Sequence, residues 1–329
     1  MDCFQPISIN KLSYYLPELS ETNSDLAKIH PDWNVELVAK KTGIHKRYKA
    51  GKDETALDLA VKASEILLNE YQIDKNSIDC VILVTQSPEY VLPTTACILQ
   101  QKLSLRKNIL AFDINLGCSG FVNALAVATS MISSKLIKNC LLICTETYSK
   151  YIDENDRTNK MIFSDAAAAC LVEYNEKKNS ACGGFEFGSD GSGYNNLIVR
   201  GRASRQLKND ENNFLHMNGA SVLMFTMREV PKTIQKTLKK CNMSIEDIDL
   251  FVLHQASNLV INELISKLKV KPEKVFNNLS EIGNTVSCTI PIALKDAINE
   301  KKIVPGSKIL IAGFGVGLSW GAAILKWPS

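Results

Sequence analysis

The sequence predicts an α/β protein with mainly internal strands, built from two copies of one plan, and three observations carry the prediction. Continuous apolar runs of strand length alternate with amphipathic helical stretches. Those runs lack the polar alternation of a half-exposed sheet, so the sheets are expected to be covered on both faces. The order of elements in residues 1–174 recurs in residues 175–329, and the polar stretch from Tyr174 to Ser180 marks the boundary.

Helix Thr55 to Tyr71 leads into the apolar run Ile78 to Val84. In the second half, helix Val230 to Cys241 leads into Ile248 to Leu253, where an Ile-Asp pair again opens the strand. The run Lys138 to Cys144 has its counterpart in Lys308 to Ala312, and the small-residue run Ala166 to Val172 in Gly321 to Leu325. The segment Gly120 to Ile132 (GFVNALAVATSMI) is apolar on nearly every face. It is too short to span a bilayer, so it reads as a helix buried between other layers. The longest irregular segment, about Ser189 to Asn213, is expected as a surface loop bordering the site.

Composition narrows the function classes. The chain has 329 residues, 45% of them hydrophobic, enough for a sizeable core. Its formal net charge is only +3, carried by scattered lysines, which gives no ground for nucleic acid or a membrane as partner. The opening residues MDCFQP lack the basic and then apolar pattern of a secretory leader, so the cytoplasm is the expected compartment. The ten cysteines lie mostly in apolar stretches, among them Cys80, Cys140, Cys144 and Cys170, and are expected as buried free thiols. Neither they nor the four histidines show a paired metal-ligand spacing, so no structural zinc is expected.

The sharpest chemical signal is Asp113 to Phe121 (DINLGCSGF): a strand, a tight Gly turn, then the start of the apolar helix. Cys118 is thereby set at a helix N-terminus, where unpaired N–H groups and the macrodipole favour the nucleophilic thiolate. A nucleophilic thiol needs a proton-handling partner and donors for a developing oxyanion. His254 follows the strand Leu250 to Leu253 at its carboxyl end, where sites of internal sheets are built. Asn284 stands in a Gly-Asn turn before the helical stretch Cys288 to Leu294, and its amide is a neutral donor suited to an enolate oxygen. Two other motifs fail on context. Gly317-Leu318-Ser319-Trp320-Gly321 matches a serine nucleophile elbow by letters, but neither a helix nor a His follows it. The run Gly313 to Gly317 has no following helix to make a phosphate loop and reads as a turn placing backbone N–H groups.

Taken together, Gly117-Cys118-Ser119-Gly120-Phe121, Leu253-His254-Gln255-Ala256, Gly283-Asn284-Thr285-Val286-Ser287 and Gly313 to Gly321 closely resemble the β-ketoacyl-acyl carrier protein synthase III family, in order and spacing over nearly the whole chain. Supporting matches are Lys41-Thr42-Gly43-Ile44, Pro93-Thr94-Thr95-Ala96, Asp156-Arg157, Phe163-Ser164-Asp165-Ala166 and Met217-Asn218-Gly219. The resemblance implies a thiolase fold, five αβαβα layers made of two duplicated βα halves, and a homodimer. It implies Cys118, His254 and Asn284 as the catalytic trio, with the backbone N–H groups of Cys118 and Val316 as oxyanion donors. It puts Arg157, Lys41, Trp33, Leu92, Gly219, Ser257 and Phe314 at substrate-binding positions, Leu92 reaching the partner's acyl pocket. The implied reaction loads Cys118 from an acyl-CoA, then condenses the acyl group with a malonyl thioester on acyl carrier protein. Carbon dioxide is lost and a 3-oxoacyl thioester forms, with no metal or redox cofactor.

Several positions depart from the family's common pattern. Leu37 stands where an aromatic is usual, with Trp33 nearby but out of register; Lys41 replaces Arg, Ser257 an Asn, Leu259 a basic residue and Val316 a Gly. These changes touch the entrance more than the chemistry, so a specialised paralogue is expected. The alternative is transfer of the acyl group from Cys118 to an amine or hydroxyl of a small molecule, which has less need of Asn284. A non-catalytic acyl-CoA-binding scaffold would be expected to have lost the nucleophile or its partners, and all three residues are present.

Overall fold

The computed structural model describes residues 3–177, 179–208 and 212–328. The first half contains β1 (Phe4–Gln5), β2 (Ile7–Tyr15), β3 (Leu19–Thr22), α1 (Asn23–Ile29), α2 (Val35–Thr42), β4 (Lys46–Lys49), α3 (Ala56–Glu70), β5 (Cys80–Val84), α4 (Thr95–Lys102), β6 (Leu110–Ile114), α5 (Gly120–Ser133), β7 (Asn139–Glu146), α6 (Arg157–Lys160) and β8 (Ala166–Tyr174). The second contains β9 (Ala181–Ser189), β10 (Leu197–Val199), β11 (Leu215–Met217), α7 (Gly219–Lys240), β12 (Leu250–Leu253), α8 (Asn258–Leu268), α9 (Leu279–Ile282), α10 (Thr289–Asn299), β13 (Lys308–Gly315) and β14 (Ser319–Lys326).

Two five-stranded sheets form the frame, ordered β2-β8-β7-β5-β6 and β1-β9-β14-β13-β12. Strand directions repeat between them. The pair β5 and β7 is parallel, as is β12 and β13, and the next two pairings in each sheet are antiparallel. The inner strands β5, β12 and β13 are apolar on both faces because each sheet is covered on both. Residues of α5 and α10, including Phe121, Leu125, Ile290 and Leu294, fill the space between the sheets. Helices α3 and α4 pack on the outer face of the first sheet, and α7 and α8 on that of the second. The result is five layers, αβαβα, with α5 in the central one, which is why its sequence is apolar all round.

Local chemistry explains the element ends. Thr55 caps α3 in a reciprocal box with Asp58, and Asn218 caps α7 by accepting the Ser221 N–H. Helix α7 begins well before the expected Val230, at Gly219, and runs through Pro231. Proline removes one N–H but its fixed φ is helical, and the helix is held against β9, β13 and β14 along its length.

Three sequence expectations are corrected. The segment 189–213 is not one irregular loop: a 3-10 turn over Gly191–Asn196 precedes β10, which pairs antiparallel with β11. Residues 209–211 of it lie outside the described residues, as does Lys178 at the half boundary. The run Gly313 to Gly317 is strand through Gly315, and the turn begins only at Val316. The cysteines are not all free thiols, because Cys3 and Cys241 are paired as a disulfide with Cα atoms 5.5 Å apart. Both lie outside the apolar runs, and the pairing of β1 with β9 brings the N-terminus to the end of α7, which neighbouring sequence does not reveal. Cys80, Cys140, Cys144 and Cys170 are buried and free; Cys97 is free but exposed. No described helix is long and apolar enough to cross a membrane.

Candidate active site

Strand β6 ends at Ile114, the chain turns at Gly117, and α5 begins at Gly120, so Cys118 stands just before the helix N-terminus. The turn closes through Leu116 N–H to the Ile114 carbonyl at 3.0 Å and Gly120 N–H to the Gly117 carbonyl at 2.7 Å. Gly117 sits against Gln86, and a Cβ there would meet Gln86 Oε1 at 2.4 Å, so that side chain would have to move. Strand β13 runs hard against the same corner: a Cβ at Gly313 would lie 2.6 Å from the Cys118 carbonyl oxygen, and one at Gly315 2.9 Å from the Cys118 sulfur.

The backbone N–H groups of Cys118 and Val316 both favour charge on the Cys118 sulfur, so the two donors that the resemblance implies act on one atom. Val316 keeps φ outside the left-handed region, as that placement requires. Burial, reinforced by the nearby Glu146, outweighs the two N–H groups and pushes the thiol up to about 12. The expectation of a resting thiolate is thereby corrected. Cys118 is 6% exposed, and a charge there loses more hydration than a helix end returns. Alkylation by iodoacetamide is therefore expected to rise about tenfold per pH unit between pH 7 and pH 10 without a plateau; a plateau below pH 9 would contradict it.

His254 is 2% exposed at the end of β12, its N–H bonded to the Ala312 carbonyl at 2.8 Å and its ring edge-on to Phe314. Burial holds the imidazole at about 3, far below its usual range, so the ring is neutral at physiological pH. Its Nδ1 lies 2.7 Å from the Thr289 hydroxyl, which also reaches the Val286 carbonyl at 3.1 Å. That hydroxyl has one proton. When it donates to Val286 it accepts from Nδ1–H and Nε2 keeps its lone pair; when it donates to Nδ1, Nε2 carries the proton.

Asn284, 4% exposed, is stapled to the first half by its own backbone: its N–H bonds to the Ile162 carbonyl and its carbonyl accepts the Ser164 N–H. Its Oδ1 accepts the Val286 N–H at 2.9 Å, which leaves Nδ2 as the free donor. Val286 has φ 57, a left-handed conformation that strains a β-branched residue by about 1–3 kcal/mol and persists only where neighbours hold it.

Cys118, His254 and Asn284 line one cavity of about 400 Å³. Of the substrate-binding positions, Lys41, Gly219, Ser257 and Phe314 line it too. Arg157, Trp33 and Leu92 are not in its wall. Arg157 is exposed on α6, beside the lining residue Thr158; Trp33 stacks on His30 at 3.9 Å; Leu92 is 79% exposed. The wall is mostly apolar, with Ile162, Phe163, Leu197, Met217 and Val222 around the thiol, and β10 and β11 supply two of these. Ser319 is no nucleophile elbow: it opens β14, and its hydroxyl is held between Ser119 Oγ and the Val316 carbonyl.

Sequence reasoning missed Thr289, Ser287 and Glu146. Burial pushes the Glu146 carboxyl up to about 8 against three hydrogen-bond donors. A carboxylate closing the apolar run Cys140 to Cys144 was the legible signal, since such a residue is almost never buried without partners.

Comparison with known proteins agrees with this geometry. The family profile described as 3-oxoacyl-[acyl-carrier-protein] synthase III matches residues 112–191, and its C-terminal companion matches residues 238–327. A β-ketoacyl-[acyl-carrier-protein] synthase III of Fusobacterium nucleatum is 37% identical over 328 residues, covering 98% of this chain and 99% of that one. The crystal structure of a 3-oxoacyl-(acyl-carrier protein) synthase from Burkholderia xenovorans superposes with TM-score 0.94 at 32% identity, over 98% of this chain and 95% of that one. A priming β-ketosynthase from the R1128 polyketide biosynthetic pathway superposes at 0.88 with 26% identity, over 100% and 98%. With the thiolase-type layers, the cavity and these relatives in agreement, the chain is a condensing acyltransferase that belongs to the 3-oxoacyl-[acyl-carrier-protein] synthase III family.

Proposed function

We propose that the chain takes an acyl group from acyl-CoA onto Cys118 and condenses it with malonyl-acyl carrier protein to a 3-oxoacyl thioester. The observation that carries this reading is the convergence of a buried thiol, two N–H donors on its sulfur, a neutral His254 and the free Asn284 amide on one apolar cavity. Because the resting thiol is neutral, it is deprotonated as it attacks: His254 Nε2, carrying its lone pair, takes the proton and returns it to the departing CoA sulfur. The oxygen that becomes negative in the tetrahedral intermediate is received by the N–H groups of Cys118 and Val316.

When the malonyl thioester enters, its carbon–carboxylate bond breaks and the electron pair forms an enolate. Asn284 Nδ2 and a protonated Nε2 donate to the enolate oxygen, and the carbanion attacks the acyl carbonyl to release Cys118. Thr289 lets His254 serve both halves, because its hydroxyl can accept from Nδ1–H or, turned, donate to a bare Nδ1; between the halves the open cavity lets the ring give up its Nδ1 proton to water and take one from water at Nε2. Carbon dioxide loss supplies the carbanion, so no step calls on a metal or redox group.

The entrance supports a specialised paralogue. Lys41, Ser257 and Leu259, three of the positions that depart from the common pattern, all line the cavity. We place a second copy of the chain against β6, one of the two edge strands of its sheet, beside Val91 and Leu92, each 79% exposed. Leu92 would then reach the partner's cavity. Sedimentation velocity is expected to show a dimer, and a monomer at micromolar concentration would remove that assignment.

The test is intact-mass analysis after exposure to a panel of acyl-CoAs, followed by malonyl-CoA or malonyl-acyl carrier protein. An acyl adduct discharged as a 3-oxoacyl product is expected. An adduct that only amines or alcohols discharge would instead establish simple acyl transfer, and equal or better turnover of acetyl-CoA with the standard carrier would sink the specialised role.

A further inference from the structure

Glu146 ends β7 and is completely buried, and no step of the proposed reaction touches it. Its Oε1 accepts the Ser287 hydroxyl at 2.8 Å; its Oε2 accepts the Ser87 hydroxyl at 3.0 Å and the Gln86 N–H at 3.1 Å. Gln86 and Ser87 follow β5 in the first half, whereas Ser287 lies between Asn284 and α10 in the second. One carboxyl group therefore joins the two halves beside the cavity.

What it joins matters. Ser287 directly follows Val286, the residue in the left-handed region. The Val286 N–H occupies Asn284 Oδ1, and the Val286 carbonyl accepts from Thr289, which holds His254 Nδ1. One strained residue thus orients both polar partners of the reaction, and its neighbour is fixed by Glu146.

We propose that Glu146 is a positioning residue: through Ser287 it holds the 284–289 turn in its left-handed form and so aims both the Asn284 amide and the His254 ring for condensation. This rests on the reading of Cys118, Asn284 and His254 as nucleophile and enolate donors. Glu146 also faces Cys118, and its charge opposes a thiolate there. Losing it is therefore expected to slow discharge while leaving loading near wild type and making the Cys118 thiol easier to ionise, a combination that a carboxyl merely supporting the fold would not produce.

The experiment measures acyl loading and malonyl-driven discharge separately by intact mass for wild type, Glu146→Gln and Ser287→Ala, with Cys118 alkylation at pH 9 and melting curves alongside. Glu146→Gln is expected to slow discharge about ten- to a hundredfold while loading stays within about threefold. Alkylation of Cys118 is expected to be faster in that variant, since at pH 9 the wild-type carboxyl bears its charge. Ser287→Ala keeps the charge and loses the tether, so discharge is expected to fall about tenfold with alkylation unchanged. Loading and discharge reduced by one common factor, or discharge within about twofold of wild type in Ser287→Ala, overturns the proposal. Should Glu146→Gln fail to fold, Ser287→Ala decides it alone. A wild type that loads but is not discharged by any malonyl thioester overturns the condensation reading, and the positioning role with it.

Discussion

Cys118→Ala is expected to take up no acyl mass from any acyl-CoA and to lose condensation by roughly four orders of magnitude or more, since the covalent intermediate has no other acceptor at the corner of β13 and α5. The remaining free cysteines among the described residues are buried in the layers, apart from Cys97 on α4, and none of them lines the cavity. The variant is expected to fold as well as wild type. Alanine removes only a sulfur from a site where that sulfur is neutral, and it leaves the N–H groups of residues 118 and 316 in place. Intact mass and a melting curve on the same sample check both statements. A full adduct on Cys118→Ala would mean that the nucleophile is elsewhere.

The second large effect is expected of Asn284→Ala. Loading from acyl-CoA does not use the Asn284 amide, so the adduct is expected to form at a rate close to wild type. Discharge by malonyl-acyl carrier protein is expected to fall on the order of 10²–10³-fold, the usual cost of one lost donor to a developing oxyanion. The comparison also separates two chemistries. Transfer to an amine or hydroxyl needs a base but no enolate donor, so a variant that keeps full turnover with such an acceptor would identify that reaction. Because Asn284 Oδ1 also holds the Val286 N–H, Asn284→Asp is the companion variant: it keeps the acceptor, removes the donor, and is expected to match the alanine variant in discharge.

The duplicated plan was legible because fully covered sheets leave long apolar runs, and because the same Ile-Asp opening precedes β5 and β12. That Cys118, His254 and Asn284 meet at one cavity was legible as well, each standing at a strand end or helix start. The resting state of the thiol was not. Helix-end electrostatics can be read from a strand-turn-helix pattern, whereas the desolvation that overrides them depends on β13, far along the chain, packing within reach of the sulfur. The Cys3–Cys241 bond and the β10–β11 pair are long-range pairings of the same kind, without a local pattern to announce them. Thr289 and Ser287 look like ordinary helix-start hydroxyls until their partners are seen.

The correspondence of the two sheets gives the cavity an origin. Helices α5 and α10 share the central layer, and each is approached by a short turn that carries chemistry: Cys118 on one side, Asn284 to Thr289 on the other. A single ancestral half would have offered one such corner, and two identical halves a pair of equal corners facing a common space. Two copies joined in one chain leave each corner free to differ from the other, and in the proposed reaction one captures the acyl group while the other supplies neutral donors. The division of labour between acyl capture and carbon–carbon bond formation is, on this view, a division between sister corners of a doubled chain.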